Sequence, residues 1–142
     1  MLHGMADQKL EALSHVPLFS QCTLKELEFI ASTGDEIDVP AGKVLTTQGS
    51  SGDAFYIQLV GESEVQVDGN PRRVIKAGEF FGEISMIDGG PATASVTTLT
   101  KSRLYVMSHA QFRDAIKAND SLMVRVLTQM GKRLREDAAL RK

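Results

Sequence analysis

The sequence is poor in cysteine and in long apolar runs, and both shortages exclude classes of protein. Cys22 is the only cysteine, so neither an internal disulfide nor a cysteine metal cluster can form. It stands just before a predicted helix, where its thiol pKa could fall, although a lone cysteine more often packs. No apolar run exceeds four residues, as in residues 54–57, which is too short to span a bilayer. The first residues lack the basic start and apolar stretch of a secretory signal, so we expect a cytoplasmic protein without a membrane partner.

Excess charge and clustered histidines are also lacking. With 18 acidic and 16 basic residues the formal net charge is −2, which gives no global field for capturing nucleic acid, and we do not expect direct nucleic-acid binding. His3, His15 and His109 lie outside residues 35–108, so no metal site is predicted there. Ser85 and Ser95 have no histidine base nearby in sequence. We therefore expect no catalytic residues and no enzymatic activity.

What the sequence does contain is typical of one folded domain covering residues 1–142. The apolar residues with glycine make up about half of the 142-residue chain, as in ordinary globular proteins. Helical apolar spacing predicts helices within about 7–32, interrupted near Pro17. Thr23 and Glu26 form a capping-box pattern that begins the second helix.

From about residue 35 to 108 the pattern becomes that of a β-sheet protein. Short runs of alternating apolar and polar residues, such as 55–59 and 104–106, are separated by glycine- and proline-containing turns. Many short strands at this spacing predict an antiparallel sandwich or jelly roll.

Helical spacing returns in C-terminal helices over about 109–140. Ser108 and Gln111 form a second capping box, opening a helix to about Ala118, and a longer helix follows. Its apolar residues form two adjacent rows, one with Leu122, Val126 and Met130 and the other with Met123, Leu127 and Leu134. Arg125 and Glu136 fall on the opposite face. One row suffices to cover the domain, so the second either packs against a partner helix, as in a homodimer, or packs on the same domain.

One segment, residues 80–96, departs from the strand pattern. Gly82 permits a tight approach, residues 83–87 can form one helical turn, and a glycine pair before Pro91 ends it. The turn is either an anion site, with Glu83 accepting hydrogen bonds from a ligand hydroxyl, or a simple strand crossover with Glu83 near the helix dipole. Spacing alone leaves both open.

Residues 81–87, Pro91 and 94–96 resemble the phosphate-binding cassette of cyclic nucleotide-binding domains. These domains occur in catabolite activator protein, regulatory subunits of cAMP-dependent protein kinase and nucleotide-gated channels. Residues 48–49, 53–57 and Gly61 match further landmarks, and the resemblance extends from about Leu10 to Arg135. It implies a mainly β, eight-stranded antiparallel jelly roll flanked by N- and C-terminal helices, with the cassette (81–96) between strands six and seven, in a stand-alone bacterial-type module.

The resemblance also implies roles for individual residues. Glu83 would accept the ribose 2′-hydroxyl, amides of residues 82–84 and Thr93 would face the cyclic phosphate, and Thr93 and Ser95 would offer hydroxyls. The expected ligand-binding residues are Phe81, Gly82, Glu83, Ile84, Ser85, Ala92, Thr93, Ala94 and Ser95. The implied ligand is cAMP or cGMP, with no cofactor. The function implied is a regulatory sensor whose ligand orders the last helix and signals through it.

Ala92 is the main departure from the family pattern, which has an arginine at this position. A charge-assisted hydrogen bond contributes about 1.5–3 kcal/mol, so its loss weakens binding roughly 10- to 150-fold. Other cations near the cassette could compensate, although exposed charge is the default for such residues. These are Arg72, Arg73, Lys76, Lys101 and Arg103. Because strands alternate, at least one of Arg72 and Arg73 faces away. The alternative function is a ligand-free interaction or dimerisation module with the same fold.

The chain ends in a mildly basic segment, with Lys132, Arg133, Arg135, Arg141 and Lys142. Cations near a helix C-terminus are favourable with its dipole, and a nucleic-acid contact is the weaker alternative. Transcription factors of the family carry a helix-turn-helix after the last helix, which this sequence does not include. Either the module stands alone or the chain is truncated.

Overall fold

The computed structural model describes the backbone of residues 2–140 and the side chains of residues 8–136 and 138. The helices are α1 (Leu2–Ser14), α2 (Leu24–Thr33), α3 (Glu83–Asp88), α4 (His109–Ala118) and α5 (Asp120–Leu140), with a 3₁₀ turn at Pro17–Phe19. The strands are β1 (Asp35–Val39), β2 (Val44–Thr46), β3 (Ala54–Val60), β4 (Ser63–Val67), β5 (Asn70–Ile75), β6 (Phe80–Phe81), β7 (Ser95–Thr98) and β8 (Ser102–Ser108). Arg141 and Lys142 of the basic segment lie outside the described residues.

Eight strands form two antiparallel sheets of four. The first sheet has the order β1-β8-β3-β6 and the second β2-β7-β4-β5. Apart from the β4–β5 hairpin, neighbouring strands in each sheet are not consecutive in sequence, as in a jelly roll. The structure therefore confirms the predicted fold class, an eight-stranded roll flanked by helices at both ends.

Local signals in the sequence account for most helix boundaries. Thr23 and Glu26 make both hydrogen bonds of a capping box, and Ser108 and Gln111 make the equivalent pair at the start of α4. Pro17 begins the 3₁₀ turn that separates α1 from α2. The first helix starts at Leu2, several residues earlier than the predicted position near residue 7.

The apolar core has two parts. The larger cluster joins one face of the first sheet to the helices, with Phe55 and Tyr105 of the sheet beside Ile30 of α2 and Phe112 of α4. The smaller cluster lies inside the roll and consists of Ile75, Phe81 and Val96, packed by Leu45, Tyr56 and Val65. The helices thus pack against the outer face of the first sheet, and the smaller cluster fills the space between the two sheets.

Tyr105 ties α2 to the first sheet. Its hydroxyl donates to the Ile30 carbonyl and accepts a hydrogen bond from the Gly34 amide at 3.1 Å. A Cβ at Gly34 would stand 2.5 Å from Cζ of the Tyr105 ring, so glycine permits the close approach. Burial raises the pKa of the Tyr105 hydroxyl, which is kept neutral as a donor.

The long helix α5 buries one of its two predicted apolar rows. Leu122 and Val126 are buried, whereas Leu127 is 50% and Leu134 67% exposed. The prediction that Arg125 lies on the outward, polar face of α5 was wrong. Arg125 donates to the Leu18 carbonyl at 2.7 Å, so this side chain lies against the domain instead of facing away from it.

Cys22 is a packing residue. Burial raises the pKa of its thiol, outweighing the opposite effect of Arg125, so the lowered pKa considered for a helix start was wrong. The Asn119 side chain donates to its sulfur at 3.2 Å. Among residues 2–140, none of the helices has the length and apolar character needed to cross a bilayer.

Candidate functional site

Residues 81–96 connect β6 to β7 and fold around the short helix α3. Gly82 begins the segment in the left-handed region, with φ of 89°, and a Cβ there would stand 2.5 Å from the Ala54 carbonyl oxygen. Gly89 ends α3 with φ of 70°. Both positions therefore favour glycine. The turn at Gly82 lets α3 begin at Glu83, only two residues after the end of β6.

Glu83 is the buried charged group of this segment, only 5% exposed. Arg133 of α5 donates to Glu83 Oε1 at 3.0 Å, and both side chains are largely buried. The same guanidinium donates to the Phe80 carbonyl and lies 4.8 Å from the centroid of the Phe80 ring. Three contacts therefore fix the end of α5 beside Glu83.

The role of Arg133 was missed by sequence reasoning, which treated it as a cation near a helix terminus. Its partner Glu83 is 50 residues away in sequence, and no local spacing rule connects them. The available signal was indirect: a buried carboxylate requires a partner, and α5 carries several basic residues.

Phe81 forms an apolar floor next to Glu83. It is 4% exposed and stacks on Tyr56, with ring centroids 4.8 Å apart and ring planes 12° apart. Burial, with a smaller contribution from Asp53, raises the pKa of the Tyr56 hydroxyl. Both rings belong to the small core inside the roll.

The second half of the segment is fixed by the loop after β2. The Ala92 amide donates to the Ser50 carbonyl at 2.8 Å, and the Ala92 carbonyl accepts from the Gly49 amide at 2.9 Å. Ser95 Oγ accepts from the Gln48 amide at 2.9 Å. A hydroxyl that accepts one bond keeps its proton to donate, so Ser95 can still serve a ligand.

The remaining predicted site residues differ in exposure. Ser85 is buried against Gly52, and a Cβ added at Gly52 would lie only 2.0 Å from the Oγ of Ser85. Ile84 and Thr93 are exposed, and the Ala94 carbonyl accepts a hydrogen bond from Thr46 Oγ1 at 3.1 Å. Of the nine residues, Phe81 lies in the core inside the roll, Glu83 contacts α5, and Ser85 packs on the β2–β3 loop.

Several cations were considered as substitutes for the arginine that the family has where this chain has Ala92. Of these, Arg73 lies on the inner face of the roll. It pairs in register with Val65, which pairs in turn with buried Val96. Its guanidinium lies 3.4 Å from Glu136 Oε2 of α5. Glu136 therefore contacts the domain, in contrast to the predicted outward face.

The other cations lie at the surface. Arg103 pairs with Asp38 at 2.9 Å, and both side chains are more than half exposed. Arg72, Lys76 and Lys101 are exposed.

Two cavities lie near the segment. One, of about 550 Å³, lies between the β2–β3 loop and the end of α3 and is lined in part by Asp53, Ser85, Pro91 and His109. Glu83 does not line it, so this cavity lies beyond the far end of α3. The other, of about 300 Å³, lies under α5 and includes Phe80, Lys132 and Arg133 in its lining. The side of the segment nearest Glu83 is covered by α5.

Comparisons with known proteins support the predicted family. Residues 36–119 match the cyclic nucleotide-binding domain family. The cAMP-dependent protein kinase regulatory subunit of Emericella nidulans is 33% identical over 115 residues, which cover 80% of this chain and 28% of that protein. This chain therefore spans less than a third of that relative's length.

Solved structures share the fold. PfPKA-R (141-441) bound to cAMP superposes with a TM-score of 0.80 at 20% identity, covering 94% of this chain and 49% of that one. The catabolite activator protein of Thermus thermophilus gives a TM-score of 0.77 at 25% identity, covering 87% of this chain and 60% of that one. With the family match over residues 36–119, the two-sheet roll and the segment between β6 and β7, the chain belongs to the cyclic nucleotide-binding domain family.

Proposed function

We propose that this chain is a non-catalytic sensor that binds a cyclic mononucleotide, cAMP or cGMP, between residues 81–96 and the interior of the roll. The observation that carries the proposal is the buried Glu83 carboxylate, which follows the left-handed Gly82 at the start of α3. A carboxylate kept in such a place suits a ligand hydroxyl, because its oxygens only accept hydrogen bonds.

Glu83 has the capacity to bind a hydroxyl while Arg133 remains in place. Arg133 donates to Oε1, and an ionised carboxylate offers about four acceptor positions on its two oxygens. The guanidinium also holds the carboxylate in one orientation, so a ribose 2′-hydroxyl meets a fixed acceptor. Arg133 thus acts as a positioning residue for Glu83.

The apolar surroundings fit a nucleotide as well. Phe81 and Tyr56 supply stacked rings beside Glu83, and Val65 and Val96 line the same interior. An apolar wall with a few fixed polar groups is the usual composition of a small-molecule site. The cAMP-dependent kinase regulatory subunit related to this chain supports the choice of ligand class.

Signalling through α5 follows from the contact between Arg133 and Glu83. A ligand that binds Glu83 more tightly when Arg133 holds the carboxylate favours the position of α5 in which the two side chains are in contact. In the structure α5 is continuous over Asp120–Leu140 and contacts Glu83 and Phe80 through Arg133. We therefore expect the ligand to stabilise this position of α5 on the roll.

A second candidate function is a protein-interaction module that binds no nucleotide. It is favoured by Ala92, which removes the family's phosphate cation, and by the exposed apolar side chains Val124, Leu127 and Leu134 along α5. A second copy of the chain covering this row would form a homodimer through the C-terminal helix.

Calorimetric titration of the unaltered chain with cAMP and with cGMP distinguishes the two functions, with 5′-AMP as control. The sensor predicts saturable binding of one molecule of at least one cyclic nucleotide and much weaker binding of 5′-AMP. Absence of binding by both cyclic nucleotides would favour the interaction module, and sedimentation of the same sample would then measure its assembly.

A further inference from the structure

The cavity of about 550 Å³ between the β2–β3 loop and the end of α3 lies apart from the proposed nucleotide site. Asp53, Ser85 and His109 line it, whereas Glu83 and Phe81 do not. A volume of this size lies within the usual range of small-molecule sites, about 300–1,000 Å³. Its three polar side chains come from the β2–β3 loop, α3 and α4, so the tertiary fold brings them together.

The strand register places Asp53 and His109 at neighbouring positions. Ala54 pairs with Ser108 at the ends of the antiparallel strands β3 and β8. The next position beyond this pair is Asp53 on one strand and His109 on the other. His109 is half-buried and Asp53 is exposed. One side of the cavity therefore carries a carboxylate and an imidazole from adjoining backbone positions.

Ser85 supplies a buried hydroxyl to the cavity. The residue is only 4% exposed, and among the residues that the structure describes its Oγ has no hydrogen-bond partner. Every fully buried polar side-chain atom of those residues does have a partner, so this oxygen must adjoin open space. A buried hydroxyl without a partner is unusual, because it loses the hydrogen bonds that water would give it. A molecule in the cavity can supply the missing bond.

Gly52 lets these groups approach each other. A Cβ added at Gly52 would lie 2.0 Å from Ser85 Oγ and 3.3 Å from the Gly90 carbonyl oxygen. The hydroxyl of α3 and the carbonyl beyond its end therefore face the same point on the β2–β3 loop, one residue before Asp53. Ligand groups bound to Asp53 and to Ser85 can thus belong to one small molecule.

The charge of the cavity selects the kind of ligand. Asp53 is the only carboxylate among the described residues that line it, and none of those residues is lysine or arginine. Carboxylate and carbonyl oxygens only accept hydrogen bonds, and the Ser85 hydroxyl can donate or accept. The cavity therefore favours a ligand rich in donors and with positive charge, and it disfavours anions such as nucleotides.

We infer that this cavity is a second binding site, for a small hydroxylated ligand that carries a primary ammonium group. The ammonium group binds the Asp53 carboxylate through charge-assisted hydrogen bonds, and a hydroxyl of the ligand binds Ser85 Oγ. The inference goes beyond the proposed nucleotide binding and does not depend on it, since Glu83 takes no part in this cavity.

The test uses amide NMR spectra of the ¹⁵N-labelled chain at pH 7, titrated with three probes at equal ionic strength. The first is 1-amino-1-deoxysorbitol, which has both the ammonium and the hydroxyl groups. The second is sorbitol, which lacks the charge, and the third is propylamine, which lacks the hydroxyls. The variants are Asp53→Asn, Ser85→Ala and the matched control Asp114→Asn, which removes an exposed carboxylate of α4 outside the cavity lining.

We expect saturable shifts at Gly52, Ser85 and Gly89 with the aminosorbitol, and binding at least tenfold weaker for sorbitol and for propylamine. Asp53→Asn should weaken aminosorbitol binding about tenfold or more, and Asp114→Asn by less than about twofold. Ser85→Ala should weaken it about two- to tenfold. The unfolding temperature of Ser85→Ala should not fall, because the hydroxyl has no partner to lose in the free chain.

Three results would overturn the inference: no saturable shift at the cavity residues with the aminosorbitol, equal affinities for aminosorbitol and sorbitol, or equal losses from Asp53→Asn and Asp114→Asn. No cyclic nucleotide is present in these titrations. Their failure would therefore leave the proposed nucleotide binding untouched, and failure of nucleotide binding would leave this site standing.

Discussion

Arg133 of α5 donates to the Glu83 carboxylate at 3.0 Å and also to the Phe80 carbonyl. One guanidinium therefore joins the C-terminal helix both to the end of β6 and to the start of α3. The pair is largely shielded from solvent, with the side chains 13% and 6% exposed. Because the contact involves the carboxylate proposed to bind the ligand, the site and the helix cannot change independently.

Replacing Arg133 by alanine should destabilise the chain by about 2–3 kcal/mol, because it leaves the buried Glu83 carboxylate without its charged partner. The measurement is urea unfolding followed by circular dichroism. Arg135→Ala is the matched control, since Arg135 is exposed on the same helix, and it should cost less than about 0.5 kcal/mol. Equal costs for the two variants would mean that the Glu83 contact contributes nothing measurable.

Introducing arginine at position 92 should raise cyclic nucleotide affinity about tenfold or more, because its guanidinium can donate two charge-assisted hydrogen bonds to the phosphate. Ala92→Gln controls for side-chain length without charge and should change affinity little. Calorimetric titration measures both. An Ala92→Arg variant that folds and binds no more tightly than the unaltered chain would show that the phosphate lies away from this position.

Glu83→Ala should weaken binding of a cyclic ribonucleotide by about 1.5–3 kcal/mol, because the hydrogen bond from the ribose 2′-hydroxyl to a charged carboxylate is lost. Binding of the 2′-deoxy analogue should change much less, because that ligand lacks the hydroxyl. Competition titration with both ligands measures the difference. Equal losses would indicate that Glu83 acts only by holding Arg133.

Stability should fall at alkaline pH partly because of Tyr105. Burial raises the pKa of this hydroxyl above its ordinary value of 10.0, so its contribution is fully present below about pH 10 and is lost as the pH rises further. The expected slope from one such group is about 1.4 kcal/mol per pH unit.

Tyr105→Phe is the test of this pH dependence. It should cost about 1–2 kcal/mol at neutral pH, since the Ile30 carbonyl and Gly34 amide lose their partner. Above pH 10 its stability should fall less steeply than that of the unaltered chain, with Tyr56 still contributing. Parallel pH dependences in urea unfolding would contradict this role for Tyr105.

The sequence predicted the parts of the molecule that depend on local rules. Thr23 and Ser108 start helices because capping geometry is local, and strand alternation identified the roll. The partners of Arg133 and Arg73 were not predictable in this way. Each contact joins α5 to residues at least 50 positions away, and it depends on how the helix lies across the roll.

Amide and arginine side-chain NMR spectra, recorded while the ¹⁵N-labelled chain is titrated with cAMP or cGMP, test the central claim most directly. The account predicts saturable shifts at residues 81–85 and 92–95, accompanied by shifts of the Arg133 side-chain N–H signals, and none with 5′-AMP at the same concentration. Spectra unchanged by both cyclic nucleotides, or shifts confined to the cavity beside Asp53 and His109, would contradict it.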